Sequence, residues 1–204
     1  NIMSKKFRIL SIDGGGIRGV FPAHILCKMR EKLDINVADR VDLIAGTSTG
    51  AIIAAALACG IDSDRISDLY AKRGSEIFIR RKTWHPEKYQ QGFTSAYDSS
   101  GLRKILEEVF KRPLIIPATD IGNGGVHVFK SAYSDAFIRD PEVLVRSAVL
   151  ASCSAPTYFD PTKVDSYLLA DGGLWANNPT LVAYVDAQKR LGVAPEDIQI
   201  LSLG

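Results

Sequence analysis

The chain has 204 residues, of which 46% are hydrophobic and 24% are charged, and its formal net charge is +2. This composition is typical of a globular protein with enough apolar residues for one core. The small net charge gives no electrostatic basis for nucleic-acid binding, so a nucleic-acid partner is not expected. The three cysteines are far apart and lack metal-ligand spacing, which predicts reduced thiols in an intracellular protein and no metal site: Cys27, Cys59 and Cys153.

The sequence shows no secretory signal and no membrane-spanning run. Lys5 and Lys6 precede a strand pattern, and the longest weakly polar run, residues 51–61, is too short to cross a bilayer. Two residues precede Met3, and the chain stops one residue after a strand pattern. We therefore expect residues 1–204 to form one domain that is truncated at its C-terminal end.

Strand and helix patterns alternate along the chain. In chain order the sequence predicts a strand at 7–12, a glycine-rich turn at 13–19, a helix to about Leu33, a strand at 41–45, a helix to about Ala58 and another helix ending near Gly74. After an irregular segment at 77–98 it predicts a helix around 102–109, a strand at 126–131, a helix from Pro141 to about Ser152, a strand at 167–170, a helix from Pro179 to Leu191 and a final strand at 198–203. This alternation predicts a three-layer α/β fold, with helices on both faces of a largely parallel sheet.

A G-x-S-x-G pentapeptide at residues 46–50 places Ser48 between an apolar strand pattern and a helix pattern. A serine at such a turn is exposed on a sharp corner, and the two glycines remove side chains that would collide there. The helix that follows offers backbone N–H groups to an oxyanion, beginning with that of Thr49. The pattern predicts a nucleophile; the alternative is a small-residue turn that only packs a helix against a sheet.

The glycine-rich segment at residues 13–19, DGGGIRG, also follows a predicted strand directly. Successive N–H groups of Gly14, Gly15 and Gly16 at a helix start form an anion-binding concavity, which predicts an oxyanion loop. Arg18 is a candidate to orient this loop or to bind a phosphate, and the alternative is a solvated arginine at a helix start.

The same segment contains the dinucleotide pattern G-x-G-x-x-G, ending at Gly19, so a nucleotide-binding α/β module is a competing hypothesis. That fingerprint requires an acidic residue at the end of the second strand. Asp34 and Asp39 instead precede the strand at 41–45, which ends in Gly46. A Walker A loop is excluded, because no Gly-Lys-Ser/Thr follows.

A serine nucleophile needs a base, and α/β-hydrolases place a histidine after the acid. The chain has three histidines, His24, His85 and His127, and none of them lies after the aspartate at the end of the strand pattern at 167–170. A carboxylate is the alternative base. Asp171, between the strand pattern at 167–170 and two glycines, is the leading candidate. Asp13 is the second candidate, although its other role is to hold its own glycine loop.

These three motifs, at residues 13–19, 46–50 and 171–173, together resemble the patatin-like phospholipase family in order and spacing. Further likeness lies in residues 151–159, 177–179 and 201–204, so the resemblance covers essentially the whole chain. It implies a fold related to the catalytic domain of cytosolic phospholipase A2. It also implies lipid acyl hydrolysis through an acyl-enzyme on a Ser-Asp dyad, with neither a metal nor a cofactor.

Carried onto this chain, the resemblance implies that Ser48 is the nucleophile and Asp171 the base. It implies that Gly14, Gly15 and Gly16 form the oxyanion loop, with Arg18 as the basic residue after it. The expected substrate is a glycerophospholipid or a related lipid ester, and the expected location is the cytoplasm and the periphery of a membrane.

Two further expectations concern how such a domain works. The aromatic and basic segment at residues 82–93 is a candidate membrane contact, with a plain surface loop as the alternative. A regulated or catalytically silent patatin domain inside a longer signalling protein is the third hypothesis, beside the hydrolase and the nucleotide module.

Overall fold

The computed structural model describes residues 5–77, 112–134, 137 and 143–204, with backbone only for 72–77. Three expectations fall on other residues: the helix around 102–109, the membrane-contact segment at 82–93 and the helix start at Pro141. His85 also lies outside the described residues.

The described residues contain seven strands: β1 (Phe7–Ile12), β2 (Leu43–Gly46), β3 (Leu114–Asp120), β4 (Gly125–Lys130), β5 (Thr162–Val164), β6 (Tyr167–Asp171) and β7 (Ile198–Leu203). They also contain the α-helices α1 (Val20–Leu33), α2 (Thr49–Ala58), α3 (Ser63–Ile77), α4 (Val145–Cys153), α5 (Gly173–Ala176) and α6 (Thr180–Leu191). Short 3-10 helices span Gly16–Gly19, Val37–Asp39 and Pro195–Asp197.

All seven strands form one sheet, in the order β5-β6-β3-β2-β1-β7, with β4 also paired to β3. The neighbours β7, β1, β2 and β3 are mutually parallel. Because β6 is antiparallel to β3 and β5 is antiparallel to β6, β5 runs in the same direction as those four. Five of these seven strands therefore share one direction, and β4 and β6 oppose it. The predicted α/β fold with a largely parallel sheet is confirmed.

Strand β3 has an unusual set of neighbours. Its residue Ile115 pairs with both β2 and β4, and Asp120 pairs with both β4 and β6. A strand has two edges, so β4 occupies one edge along its length while β2 and β6 follow one another along the other. Since β2 is parallel to β3 and β6 is antiparallel to it, the carboxyl ends of β2 and β6 face each other beside Ile116 and Pro117. We call this meeting point of the two strand ends, beside Pro117, the strand junction.

Helices cover both faces of the sheet, because alternate strand residues point to opposite sides. On one face, buried residues of β1, β2 and β3 such as Leu10, Ile44 and Ile116 pack with residues of α1 to α4. On the other face, their chain neighbours such as Ile9 and Leu43 pack on α6. The strands are apolar on both faces, as expected for a sheet that is buried between two helical layers.

The sequence-based prediction missed strands β3 and β5, and α4 begins at Val145. Prolines at 113 and 117 obscure β3, because proline rarely occurs inside a sheet. The carbonyl of Pro117 points to the strand junction, where the Ser152 hydroxyl bonds to it. Backbone N and C=O of one strand residue point to the same edge, so the missing N–H of Pro117 falls where β3 has no ladder partner.

Candidate active site

Ser48 lies on the turn between β2 and α2, as the pentapeptide predicts. Its backbone has φ 52° and ψ −124°, a conformation that is strained for a residue with a side chain. Bonds from the N–H of Thr47 to the Ile12 carbonyl and from the N–H of Gly50 to the Thr47 carbonyl hold the turn in place. The turn therefore presents the half-buried Ser48 side chain at the carboxyl end of the parallel strands.

The two glycines of the pentapeptide are required for close packing rather than for their own backbone angles. A Cβ at Gly46 would lie 2.3 Å from the Gly50 carbonyl oxygen, and a Cβ at Gly50 would lie 2.4 Å from the Ile12 carbonyl oxygen. Both approaches are to backbone atoms, so a side chain at Gly46 would displace the start of α2, and one at Gly50 would displace the end of β1. Glycine thus allows α2 to begin directly against β1 and β2.

Asp171, the last residue of β6, meets Ser48 at the strand junction. The Ser48 hydroxyl donates a hydrogen bond of 2.6 Å to Asp171 Oδ2. The other carboxylate oxygen accepts the Gly173 N–H at 2.6 Å. The carbonyl of Asp171 accepts the Thr119 hydroxyl at 2.7 Å, which fixes the end of β6 to β3. The carboxylate is therefore held in one orientation, with one oxygen directed at the serine.

Burial is the largest influence on the pKa of Asp171, a residue that is only 6% exposed. Burial raises the pKa of Asp171, while the hydrogen bonds from Ser48 and from the Gly173 N–H lower it. The net direction is upward. A carboxylate whose pKa is raised accepts a proton more readily, which suits it to act as a base.

The glycine-rich segment contacts the serine turn. A Cβ at Gly14 would lie 3.1 Å from Ser48 Cβ and 2.7 Å from Asn177 Oδ1, so glycine is needed for this approach. The N–H of Gly14 donates to the Asn177 carbonyl at 2.9 Å. Because its N–H is bonded to this carbonyl in the structure, the role of Gly14 as an oxyanion donor stays a prediction. Its contribution is the close approach.

The other expected oxyanion donors, Gly15, Gly16 and Thr49, differ from Gly14 in that their N–H groups have no acceptor among the described residues. Gly16 has φ 58°, in the left-handed region that favours glycine, and a Cβ there would meet only open space. Thr49 is the first residue of α2, where backbone N–H groups have no partner within the helix. These three N–H groups stay the candidates for an oxyanion hole.

Arg18 is exposed and lies in the short helical turn after the glycine loop. A Cβ added at Gly15 would lie 3.4 Å from the Cβ of Arg18, so the arginine stem packs on the loop. This position is compatible with both expectations for Arg18: orienting the loop and meeting an anionic group of a ligand.

The second carboxylate, Asp13, follows β1 and faces another neighbour. Its backbone N–H donates to the Leu203 carbonyl at 2.9 Å, and a Cβ at Gly204 would lie 2.3 Å from Asp13 Oδ2. Burial raises the pKa of Asp13, and a hydrogen bond with Asn178 lowers it. Asp171, rather than Asp13, is the carboxylate that bonds to Ser48.

Cys153 was expected only to be buried. Burial raises the pKa of its thiol, the nearby Asp171 charge raises it further, and a hydrogen bond with Ser48 lowers it. The thiol therefore lies beside the dyad and stays protonated. His127, in β4, packs against the rings of Phe129 and Tyr167.

Sequence reasoning assigned no role to two residues that the fold brings to this site. Ser152, at the end of α4, accepts the Ser48 N–H on its hydroxyl at 2.9 Å. Asn177 bonds to the glycine loop through its carbonyl. Both belong to segments that had been noted only for family likeness. The signal that could have marked Ser152 is its position as the one polar hydroxyl in the apolar run at residues 148–153.

Within the described residues, no group of three or more His, Cys, Asp or Glu side chains is arranged to hold a metal ion. In the same part of the chain, no helix combines the length and apolar character needed to cross a bilayer.

A serine on a strand-to-helix turn, bonded to a carboxylate at the edge of an α/β sheet, is an arrangement typical of serine hydrolases. The chain belongs to the patatin-like phospholipase family, whose model matches residues 10–184. The family assignment replaces the nucleotide-module hypothesis, and β2 ends, as noted, without the acidic residue that a dinucleotide site requires.

Two curated relatives and one solved structure illustrate the similarity. The chain is 34% identical to a cGAMP-activated phospholipase of Vibrio cholerae serotype O1, covering 99% of this chain and 65% of the relative. It is 33% identical to a cGAMP-activated phospholipase of Escherichia coli, covering 98% and 62%. The crystal structure of VipD from Legionella pneumophila shares the fold, with a TM-score of 0.61 at 12% identity over 97% of this chain and 50% of VipD. The chain thus spans less than two thirds of the length of these curated relatives.

Proposed function

We propose that this protein is a phospholipase A-type acyl hydrolase that cleaves ester bonds of glycerophospholipids. The observation that carries the proposal is the 2.6 Å hydrogen bond from the Ser48 hydroxyl to Asp171 on a strained strand-to-helix turn. Family membership, shown by the match over residues 10–184, supports lipid ester hydrolysis.

In the proposed reaction, Asp171 accepts the proton of the Ser48 hydroxyl as its oxygen attacks the ester carbonyl. The oxyanion receives hydrogen bonds from the N–H groups of Gly15, Gly16 and Thr49. Collapse of the tetrahedral intermediate breaks the ester bond, and Asp171 gives its proton to the departing lysophospholipid alcohol. Water then attacks the acyl-enzyme, Asp171 takes its proton and returns it to Ser48, and the fatty acid leaves.

The test uses a fluorophosphonate probe and mass spectrometry of a total lipid extract, with wild-type protein and Ser48→Ala, each with and without a panel of cyclic dinucleotides. Wild-type protein should be labelled covalently and should release free fatty acids and lysolipids. Ser48→Ala should do neither, with an unchanged melting temperature. Equal labelling of the two proteins, or an unaltered lipid extract with labelled wild-type protein, would contradict the proposal.

Arg18 is proposed to meet the lipid phosphate, because it is exposed and packs on the glycine loop. Arg18→Gln should slow hydrolysis of phosphatidylglycerol vesicles and leave hydrolysis of a neutral p-nitrophenyl ester unchanged. An equal loss on both substrates would instead assign Arg18 to the loop's shape.

We propose a cytoplasmic protein that binds the membrane peripherally. Apolar side chains near the site support this proposal: Ile17 is 55% exposed, Phe21 54% and Leu174 56%. They follow the glycine loop and Asp171 in the chain and are suited to contact acyl chains. The double variant Ile17→Ser/Phe21→Ser should sediment less with phospholipid vesicles than wild-type protein, and equal sedimentation would contradict the contact.

A cyclic nucleotide is proposed as the switch for this activity. Relatives at 34% and 33% identity are named cGAMP-activated phospholipases, and both are longer than the span matched here. Fatty-acid release by the full-length protein, measured with and without a panel of cyclic dinucleotides, tests this. Activity that does not respond to any of them would contradict the proposal.

A further inference from the structure

Ser152 occupies the strand junction, where it hydrogen-bonds to the backbone of Ser48 and to the backbone of the residue that follows Asp171. It is fully buried, at 0% exposed, and lies one residue before the end of α4. Its hydroxyl accepts the Ser48 N–H at 2.9 Å and donates to the Pro117 carbonyl at 2.6 Å. Its backbone carbonyl accepts the N–H of Gly172, the residue after Asp171, at 3.3 Å.

The direction of these bonds is fixed by chemistry. A serine hydroxyl has one hydrogen, and the Pro117 carbonyl can only accept, so that hydrogen is committed to Pro117. The hydroxyl oxygen is then available only as an acceptor toward the Ser48 N–H. Without the Ser152 hydroxyl, the Ser48 N–H would lose this acceptor.

The junction needs such a group because no regular ladder joins β2 to β6. Both strands pair with β3, but they meet end to end rather than side by side. Gly172 lies so close that a Cβ there would be 2.2 Å from the Pro117 oxygen. Ser152 is therefore the group that ties the Ser48 backbone, β3 and the start of the Asp171 turn together.

We propose that Ser152 is a positioning residue for the reaction, which sets the Ser48 hydroxyl at hydrogen-bonding distance from Asp171. This inference rests on the proposed hydrolase function and adds to it a residue that does not touch the substrate. Loss of the hydroxyl lets the turn shift, and a misplacement of about 1 Å can cost roughly 10²-fold in rate.

The experiment compares wild-type protein with Ser152→Ala and with Ser131→Ala. Ser131 is the control, because its hydroxyl also accepts a backbone N–H at 2.9 Å, that of Leu114 at the start of β3, and it bonds to neither Ser48 nor the Asp171 turn. Ser152→Ala should lower kcat for a p-nitrophenyl ester about 10- to 100-fold with KM unchanged, and should slow fluorophosphonate labelling equally. Ser131→Ala should keep both rates.

The pH profile separates positioning from general destabilisation. If Ser48 moves away from Asp171, the hydrogen bond that lowers the pKa of this carboxyl weakens, so its pKa rises further. The acid limb of the labelling rate should then move to higher pH in Ser152→Ala and stay in place in Ser131→Ala. Cys153, whose thiol also faces Asp171, is unchanged in both variants.

If Ser152→Ala does not fold, a second pair of variants tests whether the Ser152 hydroxyl is needed for the reaction. Thr and Val have the same shape, but only Thr keeps the hydroxyl, so Ser152→Thr should react faster than Ser152→Val. Equal rates for Thr and Val, or a wild-type rate for Ser152→Ala, overturn this inference alone. A wild-type protein that neither labels nor hydrolyses esters, with or without the panel of cyclic dinucleotides, overturns the proposed function and this inference with it.

Discussion

The parallel side and the antiparallel side of the sheet each bring one member of the Ser48–Asp171 pair, and they do so by different geometry. On the parallel side, formed by β7, β1, β2 and β3, the serine turn follows β2 in the manner expected of an open α/β sheet. On the antiparallel side, formed by β4, β5 and β6 with β3, Asp171 ends a strand that runs the other way. The two residues meet because both strands lie along one edge of β3.

This difference corrects a simple argument about strand ends. The carboxyl ends of parallel strands share one edge of a sheet, and that argument covers the glycine loop after β1 and the serine turn after β2. It does not cover Asp171, because β6 is antiparallel to β3. The site is thus a junction between two sheet patterns, and the following predictions test how each side contributes.

The largest effect is expected from the two carboxylates, of which Asp13 lies on the parallel side of the sheet and Asp171 on the antiparallel side. Asp171→Asn removes the group that accepts the Ser48 proton and should lower the rate of acylation about 10²- to 10⁴-fold. Asp13→Asn, after β1, should have a much smaller effect, because Asp171 is the carboxylate bonded to Ser48. Stopped-flow acylation with a p-nitrophenyl ester measures both, and a larger loss for Asp13→Asn would move the base to the parallel side.

The second largest effect, a loss of stability, is expected at the strand junction. Gly172→Ala places a Cβ against the Pro117 carbonyl, and overpacking of this kind costs about 1–3 kcal/mol of unfolding free energy. Gly125→Ala, at the start of β4, is the control, since a Cβ there meets nothing within 4 Å. Urea denaturation and labelling rates should separate the two variants, and a Gly172→Ala protein with wild-type stability would show that the junction can yield.

The pH dependence reports on the burial of Asp171. Burial raises the pKa of this carboxyl, and the carboxylate must be deprotonated to accept the serine proton. Activity should therefore be present above this pKa and fall as the pH drops through it, at a higher pH than for an exposed aspartate. The acid limb of kcat/KM measures this, with Cys153 as the neighbouring titratable group, which stays protonated. An acid limb at or below the ordinary aspartate pKa would contradict the stated direction.

The smallest effect is expected on the parallel side, behind the serine turn. The buried Tyr70 hydroxyl donates to the Thr49 carbonyl at 2.8 Å. Tyr70→Phe should lower the unfolding free energy by about 1 kcal/mol, as expected for one hydrogen bond, and should keep the labelling rate. Thermal denaturation with parallel labelling assays checks this, and a large loss of labelling without destabilisation would link α3 to the reaction.

Much of the parallel side could be predicted from local sequence. Alternation of strands and helices gave β1, β2, β7, α2 and α6 close to their observed bounds, since apolar periodicity is a local signal. Strand β3 was missed because the two prolines are unfavourable in most strands. Only the tertiary arrangement shows that Pro117 lies where an N–H is not needed, beside the strand junction.

The residues of the candidate site can also be separated into those predicted from the sequence and those that only the tertiary structure shows. Ser48, Asp171 and the glycine loop were predicted from motifs and from family resemblance, and the 2.6 Å hydrogen bond of the first two agrees with their proposed roles. The bonded N–H of Gly14 and the thiol of Cys153 beside the dyad were not predicted, because both depend on segments far apart in the chain.

The sequence by itself determined which chemical groups are present and how each is locally presented: a serine on a glycine-flanked turn, a run of glycines after a strand and an aspartate at a strand end. The tertiary structure decided which of them meet. It placed β2 and β6 end to end along β3, which brings Ser48 to a residue 123 positions away, and it inserted Ser152 between them. Hydrophobic periodicity and turn chemistry act over a few residues, whereas strand pairing is fixed by the packing of the whole sheet.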